Sequence, residues 1–311
     1  MASIRLILNG KSCGDQRVRS SVAEIRKRGH QVGVRVTWEA DDMRRFMDEA
    51  LADAAKGGVD TIVAGGGDGT VNEVFSSAFQ AGIPGACTFG ILPLGTANDF
   101  ARSVGLSVED LTATLVIVAD KAASPIDLGL FNGRPFVNML TGGFGSQVTA
   151  ETDPALKRRL GGLAYALTGL LRIGDLSASA GAFRAENFEW HGAFNALAIG
   201  NGRQAGGGIP LCPDALINDG LLDLMIMPHL PRGERPEALR MLLHQGAAGV
   251  RSLIKTAKSS WFTYEATDDL HVNLDGEPIQ TKKFRVECRP KAILVHLGNS
   301  ALLGGSPVGG A

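Results

Sequence analysis

Two short segments carry residue types able to hold and move phosphate. The first is Gly65-Gly66-Gly67-Asp68-Gly69-Thr70. It follows the apolar run Thr61–Ala64, which reads as a buried strand. It precedes Val71, Val74, Phe75, Ala78 and Phe79, which are apolar at helical spacing up to Ala81. A glycine turn feeding a helix start lets main chain approach a phosphate and aims unpaired N–H groups at an anion. Asp68 adds a condition, because a carboxylate beside phosphates repels them unless a hard cation stands between. The loop therefore implies a nucleotide together with Mg²⁺. No lysine follows the glycines, so this is not a Walker A loop.

The second segment, Pro93-Leu-Gly-Thr-Ala-Asn-Asp-Phe-Ala-Arg102, again follows a strand and opens a helix. Gly95 permits close backbone approach, and the Thr96 hydroxyl is a donor for a phosphate or nucleoside oxygen. Asn98 offers donor and acceptor to a base or ribose, and Asp99 suits a helix cap or a metal-bound water. The first loop alone reads equally as a tight strand-to-helix turn, and the second alone reads better as a capped helix start; the two together favour a nucleotide site.

Three further stretches stay open between a chemical and a bland reading. Asp275-Gly276 and Asp219-Gly220 are Asp-Gly turns of the hairpin kind, and a hairpin tip is also a place to present a carboxylate. Gly200–Gly208 is too glycine-rich for a packed strand end. It reads either as a mobile lip with Arg203 facing phosphate or as a flexible connection. Lys157-Arg158-Arg159 before the mostly apolar Leu160–Leu171 suits docking on anionic lipid, or a packed helix with a solvated end.

The elements that must position these residues fall into two textures. Strands are expected at Ile4–Leu8, Gln31–Val36, Thr61–Ala64, Phe89–Leu92 and Ile126–Leu130. Helices lie between them: one striped by Met43, Phe46, Met47, Ala50, Leu51 and Ala54 with Asp41 or Asp42 as cap, another opened by a capping box at Ser107–Asp110. Such alternation predicts a parallel sheet covered on both faces, with ligands beyond the carboxyl ends of its strands. After Leu130 short apolar runs (Phe136–Leu140, Ala193–Ile199, Leu222–Met227, Leu270–Leu274, Phe284–Glu287, Ile293–Leu297) alternate with Gly, Asn and Asp turns, which predicts an antiparallel sandwich. Helical interruptions are expected at 154–173 and 234–249, and a frayed tail from Gly304. The expected division is 1–130 and 131–297, with 298–311 free to return to the first part.

At 311 residues the chain has room for two domains. A net charge of −1 gives no global pull toward nucleic acid or membrane. Cys13, Cys87, Cys212 and Cys288 lack paired spacing, which predicts reduced thiols in a cytosolic setting. Neither a signal peptide nor an apolar run of about 18 residues is seen.

GGGDGT with Asn72-Glu73 behind it, followed by PLGTANDFA, resembles the diacylglycerol kinase catalytic domain family, and more finely its YegS-type lipid kinases. The likeness continues through ILNGK (7–11), VRVTWE (34–39), GNGRQAGGG (200–208), LINDGLLDL (216–224) and NLDGEP (273–278), nearly the whole chain. It implies an α/β nucleotide-binding domain followed by an antiparallel β-sandwich, and ATP-dependent phosphorylation of a lipid hydroxyl. The family's nucleotide-binding segment then falls on Gly67 to Glu73 (with Val71, Asn72), and Thr37 and Thr96 are further contacts; Gly65, Gly66, Gly95, Asn98 and Asp99 join them from the loop reading above. Glu277 falls where the family has its general base, with Asp68 beside the phosphates and Asp275 orienting the site or holding a metal-bound water. Mg²⁺, with Ca²⁺ as an alternative, falls on the Asp219 carboxylate and the carbonyls of Leu216 and Leu221. Asp223 stands where relatives vary and reads as a surface residue. The resemblance implies a cytoplasmic protein visiting the inner face of the membrane, with phosphatidylglycerol or diacylglycerol as acceptor and no nucleic-acid partner. An NAD or sugar kinase sharing the GGDG loop, or a silent lipid- or nucleotide-binding regulator, are the alternatives; intact Asp68, Asp99, Asp219 and Glu277 weigh against the last.

Overall fold

The computed structural model describes residues 1–39, 41–82, 87–143, 178–298 and 302–304. Strands β1 (Ser3–Asn9), β2 (Gln31–Thr37), β3 (Thr61–Gly66) and β4 (Thr88–Pro93) pair in parallel in the order β4-β3-β1-β2. Helices α1 (Gln16–Lys27), α2 (Asp42–Ala55), α3 (Asp68–Ala81), α4 (Asp99–Ser103) and α5 (Leu111–Asp120) follow them. Both faces are covered, which is why these strands read as unbroken apolar runs. On one face Leu6, Leu8, Val63 and Leu92 meet Val22 and Ile25 of α1 and Leu115 and Val118 of α5. On the other, Ile7, Ile62 and Ile91 meet Phe46 and Met47 of α2 and Val74 and Phe75 of α3. Phe75 and Phe89 make an edge-on ring contact at 5.7 Å, which ties α3 down on β4 and so fixes where its N-terminus points.

The remaining strands are β5 (Ser124–Phe131), β6 (Arg134–Phe136), β7 (Met139–Gly142), β8 (Ser179–Ala185), β9 (Phe188–Gly200), β10 (Leu222–Pro228), β11 (Lys255–Ser259), β12 (Trp261–Leu274) and β13 (Glu277–Val295), with α6 (Arg235–Gln245) and α7 (Ala247–Leu253) after β10. Apart from the contact of β13 with β4, their pairings are antiparallel. Alternation along β9 sends Leu197 and Ile199 into an aromatic core with Phe183, Phe194 and Tyr264. Ala196 and Ala198 face Met225, Met227 and Leu242 of α6.

Several expectations change in detail. Ile126–Leu130 is not a fifth parallel strand: β5 runs antiparallel to β13. Phe284–Glu287 and Ile293–Leu297 belong largely to one long strand, β13, bent at a register shift between Arg289 and Ile293. Its end reaches the first half, where Val295 pairs in parallel with Phe89 and packs with Ile126. Phe136–Leu140 is split, because the main-chain N–H groups of 137–139 turn to a carboxylate described below. The capping box resolves differently: Asp110 is the N-cap of α5, accepting from Ala113 N at 2.9 Å, while Ser107 Oγ accepts from Asp110 N. Asp41 makes no side-chain cap; Asp42 accepts from Trp38 N and Glu39 N and braces the turn before α2. Asp223 is no surface residue, being 8% exposed on β10 with Lys258 at 3.1 Å; burial lifts its carboxyl to about 6. The helix expected at 154–173, with Lys157, Arg158 and Arg159, and the tail from 305 onward lie outside the described residues. Among the described residues no helix is long and apolar enough to cross a membrane.

Candidate active site

The two glycine loops press together at the carboxyl ends of β3 and β4. A Cβ on Gly95 would lie 2.4 Å from Gly67 Cα, and one on Gly66 would lie 2.3 Å from Thr70 Oγ1. The Gly67–Gly95 pair therefore serves loop-to-loop contact, Gly66 leaves room for the Thr70 side chain of its own segment, and Leu94 N donating to Gly66 O at 2.8 Å clamps the loops. Gly69 differs: nothing lies within 4 Å of its Cβ position, and it opens on the cleft in the first turn of α3. The N–H groups of that turn have no intrahelical acceptor and are available to an anion. Asn9, at the end of β1, donates to Thr70 Oγ1 at 3.3 Å and extends the rim.

The acidic residues of these loops act first as fasteners. Asp68 accepts from Asp99 N (3.2 Å) and Phe100 N (3.1 Å), capping α4 from the neighbouring loop. Asp99 is buried and accepts from Gly207 N (3.0 Å) and Gly208 N (2.6 Å), while its carbonyl accepts from Gln204. The glycine-rich lip is thus pinned to α4. Gly206, Gly207 and Gly208 all have positive φ, a conformation glycine adopts at little cost. Asn98 is turned inward, and its side chain exchanges two hydrogen bonds with Gly95. Thr96 is exposed at the rim, Val71 is in the core, and Thr37 Oγ1 accepts from Gly10 N at 3.3 Å. Arg203 donates to Ala215 O and lines neither cleft compartment.

The sandwich half supplies the opposing wall. Asp275 and Gly276 have φ of 47° and 101° and form the two-residue turn joining β12 to β13. The Asp275 carboxylate accepts from Val137 N (2.7 Å), Asn138 N (3.1 Å) and Met139 N (2.7 Å), which locks the hairpin tip against the β6–β7 break. Burial pushes its carboxyl up to about 6, against the pull of those three donors. Asp275 therefore positions the hairpin. Glu277, first residue of β13, is exposed in the cleft and ion-paired with Arg134. Burial, followed by the charge of Glu277, raises the Glu73 carboxyl above its ordinary range.

Two compartments meet here, sharing Gly69 and Glu277. One, of about 500 Å³, is polar and lined by Asn9, Gly67, Thr70, Asn72, Glu73, Ser76 and Arg134 among others. The other, of about 690 Å³, has Met139, Ile209, Leu211 and Thr141 in its wall beside Asp68, Asp99 and Asp275. Thr37, Gly65, Gly66, Val71, Gly95, Thr96 and Asn98 line neither.

The segment 216–221 carries oxygen donors of the kind a hard cation takes. Asp219 Oδ1 accepts from Leu221 N at 3.0 Å. Burial, with the charge of Asp219 adding to it, raises the Asp127 carboxyl, and burial followed by the charges of Asp127 and Asp219 raises the Cys288 thiol. Asp127 holds the segment in shape by accepting from Gly220 N and Lys291 N, each at 2.7 Å. An exposed carboxylate in a segment rich in main-chain carbonyls is oxygen chemistry of the kind Mg²⁺ or Ca²⁺ takes. Among the described residues no three His, Cys, Asp or Glu side chains gather as a metal cluster. Arg134 and Asp127 escaped the sequence reading: the Asn132-Gly133 turn before Arg134 marks a hairpin, but the partners of both residues lie far along the chain.

Residues 3–131 match the family model of the diacylglycerol kinase catalytic domain, and residues 138–297 that of the YegS C-terminal NAD kinase beta sandwich-like domain. A Pseudomonas aeruginosa (strain UCBPP-PA14) protein named "Probable lipid kinase YegS-like" is 50% identical over 294 residues, 94% of each chain. One of the same name from Pseudomonas syringae pv. syringae (strain B728a) is 47% identical over 303 residues, covering 97% of this chain and 96% of that one. A solved diacylglycerol kinase structure from Bacillus anthracis str. Sterne shares the fold with a TM-score of 0.72 at 19% identity, over 97% of this chain and 98% of that one.

Proposed function

Given that the chain belongs to the diacylglycerol kinase catalytic domain family, with the YegS-type sandwich domain after it, we propose that it transfers the terminal phosphoryl group of Mg·ATP to a hydroxyl of a membrane lipid. The observation that carries this reading is the junction at Glu277. A polar compartment at the N-terminus of α3 and a partly apolar one share that carboxylate and Gly69.

In this reading the first turn of α3 takes the phosphates on its free N–H groups. The apolar wall of Met139, Ile209 and Leu211 receives the acyl side of the acceptor. Glu277 accepts the hydroxyl proton as the bond to phosphorus forms, and Asp275 keeps the hairpin tip in register for that contact. Phosphoryl transfer depends mainly on positioning and charge neutralisation, so the base contributes roughly 10²–10⁴-fold. Mg²⁺ supplies the neutralisation when bound with the nucleotide. Asp68, within the glycine turn, would face that ion, and Asp219 with the carbonyls of Leu216 and Leu221 would hold a second, structural one. Phosphatidylglycerol is the favoured acceptor and diacylglycerol the next; the enzyme works from the cytoplasmic side as a transient visitor to the membrane surface.

The test is purified protein with labelled ATP over pure lipids, NAD and sugar phosphates, with products identified by mass spectrometry. Label in a phosphorylated lipid supports the reading. Label only in NAD or a sugar overturns it.

A further inference from the structure

Arg134 is the feature of the cleft that the reading above leaves unused. The two compartments are walled by Asp68, Glu73, Asp99, Asp275 and Glu277, and Arg134 is the one cation among their described lining residues. A polyanionic triphosphate brought among carboxylates meets repulsion, and one counter-ion carried with it faces acids on every side. A guanidinium fork suits phosphate oxygens in both charge and geometry.

The main chain at Arg134 is held from both halves of the molecule. The turn before it, Asn132-Gly133, has φ of 47° and 84°. Asn132 is bonded to Arg285 of β13, its N–H to the Arg285 carbonyl at 2.8 Å and its Oδ1 from the Arg285 N–H at 2.9 Å. The carbonyl of the next residue, Pro135, accepts from Ser76 Oγ of α3 at 3.2 Å. The side chain itself is 44% exposed and ion-pairs with the Glu277 carboxylate. A fixed root and a solvent-facing head let the guanidinium change partner without moving the fold.

Resting on the kinase reading, we propose that Arg134 is a phosphate-binding residue that changes partners. In the empty cleft it is held by Glu277; with nucleotide present it grips the terminal phosphates and leaves Glu277 unpaired. Phosphate and Glu277 then compete for one guanidinium, so the carboxylate that takes the acceptor's proton is released only in a loaded cleft.

Calorimetric titration with Mg·ATP, and with adenosine as the phosphate-free probe, tests this on the full chain. Arg134→Ala is expected to weaken Mg·ATP binding about 10- to 100-fold, the range of a charge-assisted contact, and to leave adenosine unchanged. Arg134→Lys should restore part of the loss. Glu277→Gln should tighten Mg·ATP by about 2- to 5-fold, as expected for release of a half-exposed ion pair, and this gain should vanish in the Arg134→Ala background. Wild-type Mg·ATP affinity in Arg134→Ala, an equal loss for adenosine, or a Glu277→Gln gain that survives without Arg134 would each overturn the proposal. A folded wild-type chain that binds no Mg·ATP instead removes the kinase reading beneath it.

Discussion

Replacing Gly69 by alanine separates what the glycine turn does for the fold from what it does for a ligand. Gly69 lies in the first turn of α3, and a Cβ there meets nothing within 4 Å. Its φ is not positive, so alanine fits the backbone without strain. The folded protein should gain about 0.4–1 kcal/mol, because alanine restricts the unfolded chain more than glycine does. The same methyl group projects into the cleft at the point shared by both compartments. If phosphates sit against this turn, it displaces them by about 1 Å, a misplacement able to cost about 10²-fold in rate. Gly95→Ala supplies the contrast. Its Cβ would stand 2.4 Å from Gly67 Cα, main chain on main chain with no side chain able to yield, so it should lose about 1–3 kcal/mol along with nucleotide affinity. Urea midpoints with calorimetry of Mg·ATP read both effects. Gly69→Ala should be more stable yet bind Mg·ATP poorly. A stable Gly69→Ala that binds Mg·ATP like wild type refutes the phosphate role of the turn.

Two further outcomes follow from polar groups fixed at a distance from Glu277. His296 is buried, with Nδ1 2.7 Å from Lys121 O and Nε2 2.9 Å from Thr88 Oγ1, and burial lowers its basicity below 6.5. The unfolded chain then binds the proton first as pH falls, so this residue's stability is present above about 6.5 and is lost below it. Relative to His296→Gln, the wild-type urea midpoint should drop across that range; a constant difference between the two contradicts the assignment. Asp99→Asn leaves one of the Gly207 and Gly208 N–H groups facing a donor, at a cost of about 1–3 kcal/mol. Amide exchange at Gly207 and Gly208 should quicken, and unchanged protection would show that Asp99 does not hold the lip.

The architecture was legible where local pattern suffices. Runs such as Ile62–Ala64 are apolar throughout because helices cover both faces, and β9 alternates because its two faces meet different cores. Variation at Asp223 does not mark a solvent face, because β10 is buried on both sides, beside Leu222 and Leu224 on one and Met225 on the other. The glycines were legible as points of close approach, but the partner was not: Gly67 meets Gly95, and the loops approach each other before any ligand. Arg134 follows an Asn-Gly turn, but neither it nor Asp127 has a local sign of its partner. Arg134 meets Glu277 across 143 positions, and Asp127 reaches Gly220 and Lys291 across 93 and 164, so only the folded chain brings them together. The carboxylates Asp68, Asp99 and Asp275 stood out as chemistry, and the fold uses each of them to bind main-chain N–H groups.

The most direct test of the central claim, that Glu277 accepts the proton of a lipid hydroxyl at the junction of the two compartments, is a single-turnover comparison. Wild type and Glu277→Gln are loaded with labelled Mg·ATP to equal occupancy and mixed with vesicles of the acceptor lipid. The account predicts phosphorylated lipid from the wild type and a rate lower by roughly 10²–10⁴-fold from the variant. Equal rates from the two loaded proteins would contradict it.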